Sequence, residues 1–290
     1  MTDPEVAIDA EGSGPLIKSV GKAIAILDVL RCSRRPLRVV DVARQLKMSS
    51  SAVSRIVSTL ENGGLIDYDH DTGRLYLGFG LALLGNAAMA RREIDRIALP
   101  VMAEIAGRFI RDNRYVSLGR LYKGQIVYLR GRTPEMLQRE LNTISVAPVH
   151  ATAPGKVIAA WRDPAEVTAE LKSYGMDPYT SRTITSVEVF LHEIKDVRRN
   201  GFALDDREFV EDLRHVATPI FNHLGEVTAT LSVGGPAQDM QGAELDSLTS
   251  AIAHGSLEIS RQLGYGGPYP AIVSPSQVLS SMSSVVERRA

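Results

Sequence analysis

The amino-acid sequence predicts an α+β protein with an N-terminal winged helix-turn-helix over residues 18–78, a linker helix over 79–92 and a C-terminal α/β domain over 93–263. Three observations predict this fold class. Two short helical patterns meet at a polar turn within residues 38–64, and a hairpin of alternating apolar residues follows at once. Strand and helix patterns then mix along the remaining chain. A length of 290 residues is enough for two such domains.

Three helices are predicted in the first part of the chain, over residues 19–33, over 40–47, and from Ser49 or Ser50 to the glycine pair at 63–64. The third helix has one apolar face, because its apolar residues recur at the spacing i, i+3, i+4 and i+7. This face consists of Val53, Ile56, Val57 and Leu60.

The opposite face of the third helix carries hydroxyl groups and one cation, rather than an acid, a base or a pair of metal ligands. Hydroxyls and a guanidinium suit contacts to phosphates and base edges in the major groove of DNA. The alternative is an ordinary amphipathic helix with a solvated serine face. The pattern favours DNA binding in the docking geometry of helix-turn-helix proteins, with contacts from Ser49, Ser50, Ser51, Ser54, Arg55 and Thr59.

A hairpin directly after three such helices is typical of a wing. Its strands are predicted over residues 65–69 and 74–78. His70 and Arg74 lie at the wing, where contact with the minor groove or with phosphates is expected; the alternative is a solvated hairpin tip. Residues 18–80 hold ten Lys and Arg against six Asp and Glu, whereas the whole chain has a net charge of −1. This local excess suits a protein of which only one part meets DNA.

Composition excludes several classes of protein. The net charge excludes a basic nucleic-acid coat protein, and the single cysteine excludes an internal disulfide or a multi-cysteine zinc site. Six histidines without clustered spacing predict no metal site, and no cofactor is expected. The acidic N-terminus is unlike a signal peptide and no apolar run is long enough for a membrane span, so a cytoplasmic protein is expected.

The C-terminal domain should combine a sheet with helices, and it has too few parallel crossovers for a Rossmann fold. Residues 133–149 are expected to be irregular. Acidic or Gly-, Pro- and Ser-rich composition predicts a disordered tail over residues 1–17 and a flexible tail over 264–290. Strands are predicted over 115–121, 125–132, 215–221 and 227–233, with 201–205 as a further candidate, and helices over 153–162, 164–174, 186–200 and 243–263.

The segment V-H-A-T-A-P-G-K at residues 149–156 predicts a helix start with a potential anion site. Thr152 is a good N-cap, and Pro154 is tolerated in a first turn. The backbone N–H groups at Ala153, Gly155 and Lys156 would then be open to an anion, and Gly155 would let a ligand approach closely. The alternative is a plain capped helix. A phosphate-binding P-loop is excluded, because His150 stands where that motif needs glycine.

Six sequence blocks in this order resemble the IclR-type transcriptional regulators of bacteria. They are K-A-I-A-I-L-D-V-L at 22–30, R-L-Y-L-G-F-G-L-A-L-L-G at 74–85, H-A-T-A-P-G-K-V-I-A-A at 150–160, G-F-A-L-D-D-R-E at 201–208, H-V-A-T-P-I-F at 215–221 and T-L-S-V-G-G-P at 230–236. The resemblance spans residues 18–264. It implies a GAF-like effector domain, dimers that often pair into tetramers, palindromic operators and a small organic acid, frequently aromatic, as effector. The family contains repressors and activators; a repressor of a catabolic operon is favoured.

The resemblance also implies the residues of an effector pocket. The helix start and Ser232 would hold an anionic head group, Leu141 and Ile144 would cover an apolar body, and Asp205 would accept a hydrogen bond. His215 would donate to an acidic ligand or pair with Asp205; the alternative is a neutral core histidine. The implied pocket residues are Leu141, Ile144, Ala153, Gly155, Asp205, His215 and Ser232.

The sequence departs from the family pattern at three positions. Val40 stands where a Ser or Thr usually caps the first helix of the helix-turn-helix motif, although Asp41 next to it favours the helix dipole. His215 replaces a common cysteine and Gly234 a common serine. Since both lie where family effectors bind, the usual effector cannot be carried over.

Two other functions compete with a ligand-responsive regulator. A DNA-binding protein without a ligand would show no ligand-dependent change in DNA affinity. A small-molecule hydrolase could use Ser232, His215 and Asp205, which are the residue types of a catalytic triad, but no G-x-S-x-G nucleophile motif occurs. The sequence therefore predicts that the protein is not an enzyme.

Overall fold

The computed structural model confirms the predicted α+β fold class, because each of two compact units combines helices with an antiparallel sheet. The units divide between residues 92 and 93. Within the described ranges, no helix is long and apolar enough to cross a membrane. The structure describes residues 17–33, 35–90, 93–109, 114–132 and 145–287. Except for Ile17, the tail predicted over 1–17 lies outside them.

The N-terminal unit is a winged helix-turn-helix whose described strands form a three-stranded sheet of order β1-β3-β2. Its core consists of buried aliphatic side chains from all three first helices and from the strands, among them Ile26, Val42, Val53, Ile66 and Leu75. The elements are α1 (Lys18–Cys32), β1 (Leu37–Arg38), α2 (Val39–Gln45), α3 (Ser50–Asn62), β2 (Ile66–Asp69), β3 (Arg74–Leu77) and α4 (Phe79–Ala90).

The start of α2 differs from the expectation. Val40 is not the capping position; the N-cap is Arg38, whose backbone N–H donates to Asp41 Oδ2 at 3.1 Å. A carboxylate inside the first turn thereby satisfies a backbone donor at the helix start. Position 40 therefore needs no Ser or Thr. The strand β1, which pairs with β3 just before this helix, is not predicted from the sequence.

The C-terminal unit contains an antiparallel sheet whose described strands follow the order β6-β5-β4-β9-β8-β7. Residues 145–148, expected to be irregular, form the strand β6. The elements are α5 (Glu93–Phe109), β4 (Tyr115–Tyr122), β5 (Gln125–Arg132), β6 (Ser145–Pro148), α6 (Ala153–Ala160), α7 (Pro164–Tyr174), α8 (Val187–Asn200), β7 (Ala203–Asp206), β8 (Leu213–Phe221), β9 (Val227–Pro236), α9 (Gly242–Gln262) and α10 (Pro275–Glu287).

Helices cover both faces of this sheet. On one face lies α9, where Thr218 on β8 and Ser256 on α9 share a hydrogen bond of 2.8 Å, and α5 packs beside α9. On the other face lies α6, where Ala217 belongs to the same buried cluster as Val157. Because side chains alternate along a strand, the residues two positions from Ala217 also face α6. One of them is His215.

The tail predicted to be flexible makes specific contacts with the rest of the C-terminal unit between residues 264 and 276. Tyr265 stacks on Phe221 with ring centroids 4.7 Å apart. The hydroxyl of Tyr269 donates to the Pro219 carbonyl at 2.8 Å. Gly-, Pro- and Ser-rich composition signals flexibility, but these long-range contacts bury aromatic surface that the local pattern does not reveal.

The helix α10 within this C-terminal segment is capped from a distance. Asp246 on α9 accepts hydrogen bonds from the Ser276 backbone N–H at 2.9 Å and from the hydroxyls of Ser274 and Ser276. Although burial opposes it, these hydrogen bonds lower the pKa of Asp246 from its ordinary value. The carboxylate therefore adds to the local N-cap of α10, Ser274, whose hydroxyl accepts from the Gln277 N–H at 3.4 Å.

Candidate DNA-binding face and candidate effector site

All residues predicted to contact DNA are exposed on the N-terminal unit. The helix α3 buries Val53, Val57 and Leu60, and its opposite side remains open to solvent. An exposed polar side on the second helix of a helix-turn-helix is what insertion into a major groove requires. The exposed residues are Ser49, Ser50, Ser51, Ser54, Arg55, Thr59, His70 and Arg74.

Four of these side chains also make contacts within the fold, among them Ser51, whose hydroxyl lies 3.3 Å from that of Ser49. Ser49 is the N-cap of α3, since its Oγ accepts from the Ala52 N–H at 3.3 Å. The Thr59 hydroxyl donates to the Arg55 carbonyl at 3.0 Å. The His70 imidazole lies 3.2 Å from a Glu61 carboxylate oxygen. These contacts support the helix and the hairpin, whereas the exposed Arg55 guanidinium makes no hydrogen bond or ion pair with the described residues.

A pair of arginines on the wing sheet includes one that the sequence pattern does not reveal. Arg38 on β1 lies directly opposite Arg74 on β3. Side chains directly opposite in an antiparallel pair project from the same face, and two like charges there repel each other. Asp69, opposite Arg74 on β2, offsets part of this charge, and an anion such as a backbone phosphate would offset the rest. Arg38 therefore joins the candidate DNA-contacting residues.

The candidate effector site is a row of polar side chains on the face of the large sheet that packs against α6. Strand register places Asp205 opposite His215, His215 opposite Gly234, and Gly234 opposite Tyr115. Two residues further along, on the same face, Ser117 lies opposite Ser232. The sequence identified Asp205, His215 and Ser232; Tyr115 and Ser117 emerge only from the register of β4 with β9.

His215 is held between a carboxylate and a phenol. Its Nδ1 lies 3.3 Å from Asp205 Oδ2, although not in line for a good hydrogen bond, and its Nε2 contacts the Tyr115 hydroxyl. Burial, with the charge of Asp205, raises the pKa of Tyr115 to about 12. The Tyr115 hydroxyl therefore keeps its proton at neutral pH, and the tautomer of His215 decides whether this hydroxyl donates to Nε2 or accepts from it.

The two departures from the family pattern, His215 and Gly234, are sterically coupled. A Cβ atom at position 234 would overlap with Cδ2 and Nε2 of the His215 ring and crowd the Tyr115 ring. The imidazole therefore occupies the space that a serine at 234 would need. A histidine at 215 requires a glycine at 234 in this arrangement.

Ser232, predicted to hold an anionic group, is fully buried and bonds to a neighbouring hydroxyl. Its Oγ lies 2.8 Å from Ser117 Oγ. The contacts of His215 are with Tyr115 and Asp205 instead. Ser232, His215 and Asp205 thus share a sheet face without forming the hydrogen-bond chain of a catalytic triad.

The start of α6 differs from the predicted open anion site at two of its three N–H groups. Thr152 is the N-cap as predicted, but its hydroxyl accepts from the Gly155 N–H at 3.3 Å and its carbonyl from the Lys156 N–H at 3.0 Å. A Cβ atom on Gly155 would overlap with the backbone of Val149. Close packing between backbones, rather than ligand approach, therefore requires this glycine. Ala153 is fully buried at the same helix start.

Lys156 is a buried cation that the sequence pattern does not reveal. Its Nζ donates to Glu208 Oε1 at 2.5 Å, to Glu193 Oε1 at 3.1 Å and to the Leu204 carbonyl at 3.0 Å. Burial disfavours the ammonium, but the two carboxylates outweigh this and raise the Lys156 pKa. Burial also raises the pKa of Glu208 to about 7, against the attraction of Lys156.

The remaining predicted pocket residues, Leu141 and Ile144, lie outside the described residues. Within the described ranges, no group of three His, Cys, Asp or Glu side chains is placed to hold a metal ion.

Comparison with known proteins identifies both units. The model of the IclR helix-turn-helix domain matches residues 19–70, and that of the bacterial transcriptional regulator IclR C-terminal domain matches residues 86–261. The chain is 31% identical over 257 residues to the HTH-type transcriptional regulator XynR of Escherichia coli, an alignment that covers 87% of this chain and 99% of XynR.

Solved structures show the same architecture. The IclR protein of Thermotoga maritima matches with a TM-score of 0.63 at 27% identity, covering 86% of this chain and 99% of that one. An IclR homologue from Microbacterium hydrocarbonoxydans, solved in complex with 4-hydroxybenzoate, matches with a TM-score of 0.68. Its identity of 22%, over 84% of this chain and 98% of that one, concerns the fold alone.

Proposed function

Because the chain belongs to the IclR family of bacterial transcriptional regulators, we propose that it is a ligand-responsive repressor of a catabolic operon. One observation carries the proposal: the same chain joins an exposed DNA-binding face on α3 to a domain with a buried row of polar side chains. In this proposal a small effector binds that row in the C-terminal domain and changes the affinity for operator DNA in the cytoplasm.

The proposed operator is palindromic, because we propose that the protein acts as a dimer or a pair of dimers. The helix α4 supports a dimer: Phe79, Leu83 and Leu84 on it are all exposed. Apolar side chains clustered on one exposed helix commonly mark an interaction surface. Two copies of one chain bind two half-sites related by the same twofold symmetry.

A gel-shift titration with the protein's own upstream region tests the coupling between effector and DNA. The expected result is that a compound which raises the melting temperature of the protein also changes its DNA affinity about tenfold, which corresponds to a coupling of about 1.4 kcal/mol. If every stabilising compound leaves the DNA affinity unchanged, the protein is the ligand-independent alternative.

Arg55→Ala is expected to weaken binding to the specific operator by about 10–100-fold, while binding to unrelated DNA falls much less. The reason is that Arg55 lies on the exposed side of α3, where a guanidinium can reach base edges. Competition titrations at several salt concentrations would measure both affinities. Arg44→Ala serves as a control, because it removes an exposed arginine from α2 instead of α3. The guanidinium of Arg44 lies 3.8 Å from Asp41 Oδ1.

Equal losses on specific and unrelated DNA would assign Arg55 to phosphate contact alone. Arg38→Ala provides the opposite case. Loss of a wing arginine that contacts phosphate should weaken binding to specific and unrelated DNA alike. It should also reduce the slope of the logarithm of the binding constant against the logarithm of salt concentration by about one unit.

A further inference from the structure

We infer that the effector site takes an uncharged, hydroxylated small molecule in preference to the organic acid that the family resemblance implies. This inference rests on the proposed function, in which an effector binds the polar row of Tyr115, Ser117, Asp205, His215 and Ser232. Three features of the described residues carry it: the charge balance, the helix start and the hydrogen-bonding positions that the row leaves open.

The buried charges around the site are predominantly negative. Asp205, Glu208 and Glu193 face a single buried cation, Lys156, whose Nζ already bonds to both glutamates. The nearest buried arginine, Arg214, is committed to Asp206, to which it donates at 2.9 and 2.6 Å. Glu193 is 20% exposed, so the buried carboxylates are Asp205 and Glu208, two against one lysine while Glu208 is ionised. A ligand carboxylate would add a further negative charge beside Asp205 in a region of low dielectric constant.

The helix start that could have offset such a charge offers few free donors. Pro154 has no N–H, and the N–H groups of Gly155 and Lys156 donate to the oxygens of Thr152. Backbone donors that are satisfied within the helix cap are not free to bind an anion, which leaves Ala153 alone among the three predicted donors. A single backbone N–H offsets the charge of a buried carboxylate only weakly.

The hydrogen bonds of the row leave acceptor positions for a ligand. The Tyr115 hydroxyl has one donor and two acceptor positions, and its contact with His215 Nε2 uses only one of them. Ser117 and Ser232 share a hydrogen bond of 2.8 Å between their hydroxyls, and Ser232 Oγ also donates to the Ser117 carbonyl at 3.4 Å, so acceptor positions remain on both oxygens. A hydroxyl group matches this arrangement because it both donates and accepts, whereas a carboxylate only accepts.

Matched pairs of compounds test the inference on the full-length wild-type protein. Each pair consists of an alcohol and the corresponding acid, such as 4-hydroxybenzyl alcohol with 4-hydroxybenzoate and glycerol with glycerate. Calorimetry and thermal shift near neutral pH would compare affinities within each pair, and gel shifts would show which member changes DNA binding. The alcohol is expected to bind at least about tenfold more tightly than its acid.

Asp205→Asn locates the effect in this site. The amide keeps an oxygen that can accept from the Glu208 and Phe209 N–H groups, as Oδ1 does at 2.7 and 3.3 Å. Removing the charge should reduce the ratio of alcohol affinity to acid affinity. Asp212→Asn makes the same chemical change at an exposed position and should leave this ratio unchanged. If Asp205→Asn lowers the melting temperature too far to titrate, the wild-type pairs decide the question alone.

The outcomes separate the inference from the proposed function. If the alcohols bind more tightly than their acids, and Asp205→Asn reduces this difference in affinity, both the inference and the proposed function are supported. Tighter binding of the acids overturns the inference and leaves the proposed function standing, because an effector still binds. If no member of any pair binds or changes the DNA affinity, both the inference and the ligand-responsive function are contradicted.

Discussion

Lys156→Met is expected to lower the free energy of unfolding by about 3–5 kcal/mol, the usual cost of removing one partner from a buried ion pair. Methionine fills much of the volume of the lysine stem, so packing changes little. The loss comes from Glu208 and Glu193, which retain buried carboxylate oxygens without their cation, and from the Leu204 carbonyl, which loses its donor. Chemical denaturation monitored by circular dichroism would measure the change.

Two controls isolate the charge. Lys195→Met makes the same substitution at an exposed site and should change the free energy of unfolding by less than about 0.5 kcal/mol. Adding Glu208→Gln to Lys156→Met should recover part of the loss, because the orphaned carboxylate disappears. A Lys156→Met protein as stable as the wild type would show that the ion pair contributes nothing to the fold.

The cost of Lys156→Met should also depend on pH. Burial raises the pKa of Glu208 to about 7 in the folded protein, above its value in the unfolded chain. A carboxyl group with a raised pKa contributes stability at low pH and loses it as the pH rises through the folded value. Once protonated, Glu208 needs no cation, so the penalty should be smaller below the Glu208 pKa than above it.

Gly234→Ser is expected to destabilise the C-terminal unit by about 1–3 kcal/mol, the typical cost of overpacking. The new Cβ atom would overlap with the His215 ring and crowd Tyr115. Because the imidazole would have to leave its place between Asp205 and Tyr115, we also expect the effector response to weaken. Thermal denaturation and effector titration would measure the two consequences.

A double-mutant cycle gives this prediction its sharpest form. His215→Cys removes the ring, so Gly234→Ser should cost much less in that background than in the wild type, a coupling on the order of 1–2 kcal/mol. Gly266→Ser is the matched control, because a Cβ atom at Gly266 would meet open space. Additive effects of the two substitutions would contradict the steric coupling.

The sequence predicted the fold class and much of the order of elements because those properties depend on local patterns. Helical spacing of apolar residues produced α3 with Val53, Val57 and Leu60 inward. Thr152 was identified as an N-cap because capping depends on a few consecutive residues. The candidate DNA-contacting residues on α3 followed from the same pattern, since the side opposite a buried face is exposed.

Contacts between distant segments were beyond these patterns. Composition predicted a flexible tail after residue 263, but the Tyr265 ring stacks on Phe221 and Asp246 caps α10. The same reasoning left Gly155 as a position for ligand approach, whereas the backbone of Val149 fills that space. In each case the outcome depends on a partner group, namely Phe221, Asp246 or the Val149 backbone, whose position is fixed only in the folded chain.

The sequence by itself indicated a helix-turn-helix regulator of the IclR type and predicted a DNA-contacting face on α3. It also singled out His215 and Gly234 as departures. Only the tertiary structure decided that the two are one feature, because strand register alone brings position 234 opposite 215 and Tyr115 next to both. Side-chain volume, hydrogen-bond direction and buried charge then act across that register, and sequence spacing does not report them.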